Sequence, residues 1–487
     1  MVHLTNLFID GKWVPASTGE MFEVHNPYSG AVVGHAASAS GADCTAAVDA
    51  AARAFKTWEL TTPTTRRDLF LKAADLFLTP KYIKKIHEAM SEEVSAAAYW
   101  SAFNQLVSVN LLRTSANMVN LLTGDAYPSG SVPGAQVLAQ RRAQGVIFGI
   151  APWNAPVALS IRAILVPIMC GNTTIMKCSE VSPKSQAIVV EAFEEAGFPP
   201  GVLNFISMSR EAAPALTAEI IGNVHVRTIN FTGSDRVGKI IAAEAAKYLK
   251  PCILELGGKA PAVILNDANV GEAAKALAWG AMANSGQICM STERVIIQSA
   301  VADQLISEIK NFVDQLKSGN LNEQGVSLGA LFAESSADTI VAMIKEAEAS
   351  GAEIVAGDVS RQRSVLAPHL VKNVKPGMRL WDKESFGPVI AFTIVETVDE
   401  AVDMANATEY SLSASVWTND IYKGQQVASR IRAGVTNVNG TTVHSEPIDG
   451  LLGLGGASGY GRFHVENFTD KRVIVTHPLG RTYPLFS

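Results

Sequence analysis

Apolar and polar residues follow two different periods along the chain, and each change of period marks a predicted element. Residues 7–34 show the short alternating runs of β-strands, with a turn at Asp10-Gly11. Over residues 41–122 apolar positions recur at helical spacing among charges, which predicts consecutive helices. Residues 124–143 carry Pro, Gly and Ser and then the run VLAQRRA, and they predict a projecting hairpin.

Short apolar strands alternate with helices over residues 144–440. In the first half of this region a helix begins at Ser182-Pro183 and stops at Gly197, between strands such as GVIFGI and VLNFIS. In the second half, strands such as RVIIQ and AFTIV are separated by helices predicted at 270–283, 301–317, 338–350, 398–406 and 420–432. Buried strands that alternate with helices predict parallel sheets covered on both faces. The fold class is therefore α/β, with two such units in tandem that join near residue 256.

Composition narrows the class of protein. The length of 487 residues suggests about three units at ~150 residues each. With 48% hydrophobic and 18% charged residues, a disordered chain, a fibrous repeat and a disulfide scaffold are excluded. The low charge indicates that some surface is buried against another subunit.

Charge and cysteine usage bear on partners and location. The net charge is −6 and no run of Lys or Arg occurs, so we expect no nucleic-acid partner. No apolar stretch reaches the ~18 residues of a membrane span, and the N-terminus does not resemble a signal peptide. The cysteines lack a CxxC pair, which predicts reduced thiols, a cytoplasmic protein and no zinc or other metal site; they are Cys44, Cys170, Cys178, Cys252 and Cys289.

Two loops carry residues suited to covalent catalysis. Cys289 lies in a Gly-containing turn between a predicted helix and a strand, where a substrate could reach it and loop amides could favour a thiolate. A small buried hydrophobic residue fits the same pattern equally well. Glu255 ends an apolar strand before Gly257-Gly258, which suits a general base with a raised pKa. A strand-end salt bridge remains the alternative there.

Two further loops suit ligand binding. Gly233 and Ser234 follow a strand and open a helix, whose N-terminal N–H groups could hold a pyrophosphate. The spacing is G-x4-G rather than the usual dinucleotide fingerprint, so a tight turn with a helix cap fits as well. Asn154 lies between two prolines in a rigid loop, from which its amide could donate to a developing oxyanion.

Taken together, these segments resemble one family. In order, the chain contains PWN, MKxSE, FTGS, ELGGK, GQxC, ESFGP and SGYGR, and this succession resembles the aldehyde dehydrogenase superfamily. The resemblance runs from FIDGKW near the start to SGYGR near the end, and ELGGK followed by GQxC is its most specific part. The segments GIAPWNAPV, MKCSE and GQICMSTERVI look most like the branch acting on phenolic aldehydes, such as salicylaldehyde and vanillin dehydrogenases.

The resemblance implies a role for each catalytic residue. Cys289 would attack the aldehyde to form a thiohemiacetal and then a thioester. Asn154 and the backbone N–H of Cys289 would stabilise the oxyanion, and Glu255 would activate the water that releases a carboxylic acid. The expected function is NAD-dependent oxidation of an aromatic aldehyde. One alternative is a broad-specificity or aliphatic (semialdehyde) dehydrogenase. Another is a non-catalytic structural member of the family, and the intact catalytic residues argue against it.

The same resemblance implies the cofactor and its contacts. Glu180 favours NAD, because a carboxylate accepts from a free 2′-hydroxyl and repels a 2′-phosphate, with NADP as the alternative. The implied cofactor residues are Ile150, Pro152, Trp153, Lys177, Glu180, Gly233, Ser234, Val237, Glu255, Leu256, Gly257, Glu384 and Phe386.

The sequence specifies the residues of the substrate pocket less closely than those of the cofactor site. Arg162 lies in the apolar run PVALSIRAILVP, where a charge requires a partner. It could face the pocket and bind a ring hydroxyl, or form a buried salt bridge between two domains. Ile288 and Met290, on either side of Cys289, are further pocket candidates. The C-terminal segment GLLGLGGASGYGRF departs from the sequence that is usual in the family at this point, which leaves the identity of the aldehyde open.

The resemblance also implies a domain plan. Residues 1–123 and 144–255 would form a Rossmann-like NAD-binding domain, and residues 256–453 a catalytic domain. Residues 124–143 and 468–487 would bridge subunits, so a homodimer or homotetramer is expected.

Overall fold

The computed structural model describes residues 3–443, 453–483 and 485. The elements of its first half are, in chain order, β1 (His3–Thr5), β2 (Leu7–Ile9), β3 (Lys12–Val14), β4 (Met21–His25), β5 (Val32–Ala37), α1 (Gly41–Trp58), α2 (Pro63–Phe77), α3 (Pro80–Val94), α4 (Ala98–Asn117), β6 (Asp125–Pro128), β7 (Gln136–Ala143), β8 (Val146–Ile150), α5 (Pro156–Met169), β9 (Thr173–Lys177), α6 (Pro183–Ala196), β10 (Leu203–Ile206), α7 (Ala213–Gly222), β11 (Val226–Thr232), α8 (Asp235–Ala246) and β12 (Cys252–Glu255).

The second half continues the alternation of strands and helices. Its elements are β13 (Ala260–Ile264), α9 (Val270–Met282), β14 (Thr292–Gln298), α10 (Ser299–Val313), β15 (Lys317–Ser318), β16 (Val326–Leu328), α11 (Glu334–Ala349), β17 (Glu353–Ala356), β18 (Arg361–Gln362), β19 (Val365–Leu366), β20 (His369–Lys372), α12 (Arg379–Asp382), β21 (Val389–Val395), α13 (Val398–Asn406), β22 (Ser413–Trp417), α14 (Ile421–Ala428), β23 (Val435–Val438), β24 (Gly459–Tyr460) and β25 (Thr469–Thr476).

The first sheet is built around five parallel strands. Its order is β24-β12-β11-β8-β9-β10-β2-β3, with β12 to β10 parallel and β24, β2 and β3 antiparallel at the edges. Successive side chains of β8 point to opposite faces: Ile147 packs in the apolar cluster that contains α5 and α6, and Phe148 in the cluster that contains α1. Burial on both faces explains why the parallel strands are continuous apolar runs.

The second sheet repeats this plan. Its order is β17-β20-β21-β14-β13-β22-β23, and only β17 runs antiparallel to its neighbour among the described strands. Val263 and Ile264 of β13 again pack into different apolar clusters on the two faces. Since Glu255 ends a strand of the first sheet and Ala260 begins a strand of the second, the chain crosses between the sheets at residues 256–259. The predicted α/β architecture with two parallel sheets is confirmed.

A third sheet carries the predicted hairpin. β6 and β7 pair antiparallel, and β25 pairs with β7 along its whole length, from Thr469 opposite Ala143 to Thr476 opposite Gln136. Most side chains of β25 are exposed, including Val473, Ile474 and Val475. The hairpin is thus present, while its proposed role between subunits stays a prediction.

Some predicted boundaries were wrong. The helix predicted at 301–317 ends at Val313, and the helix predicted at 420–432 ends at Ala428. The short strands between residues 317 and 372 were missed, because strands of two to four residues carry too few positions to show a period. None of the helices within the described ranges is long and apolar enough to cross a membrane.

Candidate active site

Three loops at the carboxyl ends of buried elements bring the candidate catalytic residues together. Asn154 follows β8, Glu255 is the last residue of β12, and Cys289 follows the 3₁₀ turn after α9. The Sγ of Cys289 lies 3.5 Å from Oε1 of Glu255, which is only 2% exposed. The carboxylate is therefore placed to take the proton of the thiol.

The cysteine loop is held in an uncommon backbone conformation. Asn284 and Ser285 both have a positive φ, at 51° and 55°, and residues other than glycine rarely adopt this backbone conformation. The backbone N–H of Asn284 donates to the hydroxyl of Tyr99 on α4 at 2.8 Å. These contacts fix the turn that presents Cys289 to the cavity.

Asn154 lies against the same loop. Its Nδ2 donates to the backbone carbonyl of Gln287 at 3.1 Å, and its own carbonyl accepts from Nε1 of Trp100 at 2.8 Å. The amide is 6% exposed, so its orientation is fixed by packing and by these bonds. An N–H donor held beside a nucleophile is what an oxyanion requires.

Burial makes the cysteine hard to ionise unaided. It raises the pKa of the Cys289 thiol to about 11, and the positive charge of Arg162 opposes this rise. A thiol with so high a pKa needs a neighbouring base to become a nucleophile at neutral pH. Glu255 is the carboxylate at hydrogen-bonding distance.

Arg162 is directed at this pair rather than at another domain. Its Nη2 donates to Oε2 of Glu255, and its guanidinium carbon lies 4.8 Å from the ring centre of Phe463. Burial lowers the pKa of Arg162 to about 10. The buried salt bridge that the sequence offered as one alternative for Arg162 is present. The partner of Arg162 in it is the candidate general base Glu255, at the end of β12.

A cleft of about 770 Å³ opens at Cys289. This volume falls within the range of small-molecule and cofactor sites. The residues predicted to bind the cofactor, apart from Glu255, all line it: Ile150, Pro152, Trp153, Lys177, Glu180, Gly233, Ser234, Val237, Leu256, Gly257, Glu384 and Phe386.

One part of the cleft is suited to phosphate and ribose. Ser234 caps α8 by accepting from the N–H of Val237, and the free N–H groups of this 12-residue helix favour an anion. Lys177 and Glu180 lie in the same cleft, and Nζ of Lys177 donates to the carbonyl of Cys178 at 2.9 Å. These groups fit the pyrophosphate and the adenosine ribose of a nicotinamide dinucleotide.

The part of the cleft near Cys289 is aromatic and carries a second buried carboxylate. The rings of Trp153 and Phe386 meet edge to face, with centroids 5.8 Å apart. Oε1 of Glu384 accepts from the N–H of Gly258 at 2.8 Å. Burial, reinforced by the negative charge of Glu293, raises the pKa of Glu384 to about 8.

Several residues of the site were not found from the sequence. The ring of Phe332 packs against that of Trp153, tilted by 30° with centroids 4.5 Å apart, and Arg210 lines the cleft. Glu293 pairs with Lys259 and accepts from the N–H groups of Ser385 and Phe386. A signal for Glu293 was present, because a charge at the start of the apolar strand TERVIIQ requires a buried partner.

The predicted substrate residues lie outside the cleft. Ile288 is buried and Met290 half-buried, and both pack in the apolar cluster that contains Val443 and Phe463. The first part of the atypical C-terminal segment, residues 450–452, lies outside the described residues. No group of three or more His, Cys, Asp or Glu side chains that could hold a metal ion occurs in the described part of the chain.

Comparison with known proteins places this arrangement in a family. Residues 13–476 match the aldehyde dehydrogenase family. The chain is 39% identical over 482 residues to a vanillin dehydrogenase of Pseudomonas fluorescens, covering 98% of this chain and 99% of that protein. It is 37% identical over 492 residues to a salicylaldehyde dehydrogenase of Pseudomonas sp. (strain C18), covering 99% of each.

A solved structure of another aldehyde dehydrogenase has the same fold. The fold superimposes with a TM-score of 0.95 on a salicylaldehyde dehydrogenase from Pseudomonas putida G7 complexed with salicylaldehyde, at 36% identity over 99% of this chain and 100% of that one. The chain belongs to the aldehyde dehydrogenase family, and it is an oxidoreductase that acts on aldehydes with NAD or NADP.

Proposed function

We propose that the protein oxidises an aromatic, phenolic aldehyde of the salicylaldehyde or vanillin type to its carboxylic acid with NAD. The observation that carries the catalytic part of this proposal is the distance of 3.5 Å between Sγ of Cys289 and Oε1 of Glu255, with the amide of Asn154 on the adjoining loop. The identity of the aldehyde rests on the relatives and on the apolar surroundings of Cys289.

The first half-reaction forms a covalent adduct. Glu255 takes the thiol proton, the sulfur of Cys289 bonds to the aldehyde carbon, and the carbonyl electron pair moves to oxygen as an oxyanion. Asn154 and the N–H of Cys289 donate to that oxygen. When bound, the dinucleotide supplies the acceptor for the hydride that leaves the carbon, so the adduct is oxidised to a thioester.

The second half-reaction releases the acid. Glu255 passes its first proton to solvent and then takes a proton from a water molecule, whose oxygen bonds to the thioester carbon. The C–S bond breaks, Cys289 leaves as a thiolate, and a carboxylic acid is formed. The same carboxylate therefore serves both half-reactions from one position.

The preference for NAD rests on Glu180. Its carboxylate lines the cleft and would accept from the 2′-hydroxyl of the adenosine ribose, whereas a 2′-phosphate would meet a like charge. Arg210 in the same cleft supports the alternative, NADP, because its guanidinium could offset that repulsion.

The aromatic substrate is supported by the apolar residues near the site. Ile288 and Met290 flank Cys289 within a cluster that also contains Trp100, and the ring of Trp100 stacks on Phe103 at 4.8 Å. The guanidinium of Arg162 already pairs with the carboxylate of Glu255, so the second carboxylate of a semialdehyde would have to compete with that pair. A broad or aliphatic specificity remains the alternative.

Assembly and location are proposed on structural grounds. The exposed apolar side chains of β25, next to the hairpin β6–β7, suit a contact between subunits of a homodimer or homotetramer. All five cysteines are unpaired, as they would be in the reducing cytoplasm. A mass near that of one chain by light scattering would oppose the bridging role.

A steady-state panel tests the function. NADH formation is followed with salicylaldehyde, vanillin, benzaldehyde, an aliphatic aldehyde and succinic semialdehyde, each with NAD and with NADP. We expect the ring aldehydes to exceed the others at least tenfold in kcat/KM, which is about 1.4 kcal/mol of transition-state discrimination. The Cys289→Ala variant should be inactive with every aldehyde. Similar kcat/KM values for ring and aliphatic aldehydes would contradict the aromatic assignment. An active Cys289→Ala variant would overturn the covalent mechanism.

A further inference from the structure

Arg162, Glu255 and Cys289 form a continuous line of contacts. The two oxygens of Glu255 are divided between the other residues: Oε2 accepts from Nη2 of Arg162, and Oε1 faces Sγ of Cys289 at 3.5 Å. The carboxylate is 3% exposed and the arginine side chain 19% exposed, so the ion pair is largely shielded from solvent.

The arginine is itself held in place. Its guanidinium stacks over Phe463, a ring from the C-terminal part of the chain, at 4.8 Å. It projects from α5, which begins at Pro156, two residues after Asn154. Backbone, ring and carboxylate together leave the guanidinium little freedom to turn, so it fixes the direction of the carboxylate it binds.

From this geometry we infer that Arg162 is a positioning residue, which holds Glu255 with one oxygen aimed at Cys289 and keeps positive charge beside the forming thiolate. This inference rests on the proposed roles of Cys289 and Glu255. It differs from a role in binding the substrate, because the contact of the guanidinium is with the carboxylate of the base.

In the part of the chain that the structure describes, three charged groups face the thiol of Cys289. They are Arg162 on α5, Glu255 at the end of β12, and Glu384 in the loop after α12. Arg162 is the positive one among them, so it opposes the effect of burial on ionisation of the thiol, while Glu384 adds to that effect. Removal of the guanidinium should make the thiol harder to ionise and leave Glu255 free to turn away.

The first test needs neither substrate nor cofactor. Alkylation of Cys289 by iodoacetamide is measured against pH in the full-length enzyme, with the Cys289→Ala variant to subtract reaction at other cysteines. In Arg162→Met the midpoint of the rate profile should move to higher pH by roughly one unit or more. In Arg162→Lys, which keeps the charge, the midpoint should lie between those of Arg162→Met and the wild type.

A matched control separates this effect from loss of a buried arginine in general. Arg66 on α2 is 4% exposed, burial also lowers its pKa, and its charge faces Cys170 rather than Cys289. Arg66→Met should therefore leave the midpoint unchanged, whatever it does to thermal stability. An unchanged midpoint in both Arg162 variants would overturn the inference, and Arg162→Lys serves alone if Arg162→Met does not fold.

The second test separates positioning from substrate binding. With benzaldehyde and with its 2-hydroxy derivative, Arg162→Met should lower kcat by roughly 10- to 100-fold for both, with KM changed less than threefold. A rise in KM confined to the hydroxylated aldehyde would instead assign Arg162 to the substrate and overturn the inference. Because the alkylation profile uses no aldehyde, the positioning role can stand even if the aromatic specificity fails.

Discussion

The Cα of Gly258 lies directly against the backbone carbonyl of Cys289, so close that an added Cβ would overlap the carbonyl oxygen. A Cβ at Gly257 would lie 2.6 Å from Oε2 of Glu384. The two glycines of ELGGK thus allow the segment after Glu255 to touch both the cysteine loop and the second carboxylate. This contact is backbone against backbone, so it sets the position of the nucleophile more firmly than a side chain could.

Replacement of this glycine should therefore act on catalysis. We expect Gly258→Ala to lower kcat by about 100-fold, because a displacement of the cysteine loop by about 1 Å takes Sγ out of line with the aldehyde and the base. NADH formation with the best aldehyde of the panel measures it. Gly130→Ala, at a glycine with no heavy atom within 4 Å of the added Cβ, should keep wild-type kcat. A Gly258→Ala enzyme as active as the wild type would show that the contact is not needed.

The raised pKa of Glu384 predicts how cofactor binding depends on pH. The group is largely protonated below its pKa of about 8, and an ionised carboxylate accepts more strongly from a ribose hydroxyl. Binding that prefers the ionised form must tighten as pH rises through that pKa. We expect the Kd for NAD to fall severalfold between about pH 7 and about pH 9.

The measurement should exclude titration of the nucleophile. Calorimetric binding of NAD is therefore followed in the Cys289→Ser background, alone and combined with Glu384→Gln. The glutamine has no ionisation, so its Kd should be nearly independent of pH over this range. An equal pH dependence with and without Glu384 would assign the titration to another group.

Much of this site could be predicted from local sequence, and the rest could not for a physical reason. Asn154 and Cys289 follow a buried strand and a helix, Glu255 ends a buried strand, and the convergence of such ends places the three together. The pairing of Arg162 with Glu255 joins positions 93 residues apart. Nothing in a run of apolar residues around an arginine specifies its partner, so the sequence left both a substrate contact and a salt bridge open, with the salt bridge favoured.

The partners of the buried charges that hold the site in place could not be predicted for the same reason. Glu293 accepts a hydrogen bond from the backbone N–H of Ser385, which is 92 residues away in the sequence. Its partner Lys259 stands in the ELGGK motif, but the motif does not state which buried charge faces the lysine. The apolar run RVIIQ predicted the strand β14 that carries Glu293, because a continuous apolar run is a local property of the sequence.

Cofactor choice should depend on Glu180. Glu180→Gln removes the charge that would repel a 2′-phosphate while keeping a hydrogen-bond acceptor, and Arg210 remains in the cleft to attract that phosphate. We expect the ratio of kcat/KM for NADP to that for NAD to rise about tenfold or more, which is about 1.4 kcal/mol. Glu211→Gln, which alters the same net charge at an exposed residue beside Arg210, should leave the ratio unchanged. If both variants change it equally, Glu180 does not select the cofactor.

The buried pair under the cleft should be more important for stability than any surface pair. Lys259 and Glu293 are 1% and 2% exposed, and burial lowers the pKa of Lys259. Lys259→Met leaves a buried carboxylate without its counter-charge, so the free energy of unfolding should fall by about 3–5 kcal/mol in urea titrations. Lys310→Met removes the half-exposed partner of Asp314, and it should cost less than about 1 kcal/mol. Since Glu293 also binds the N–H groups of Ser385 and Phe386, Lys259→Met should weaken NAD binding as well, and normal stability with normal binding would contradict the supporting role of the pair.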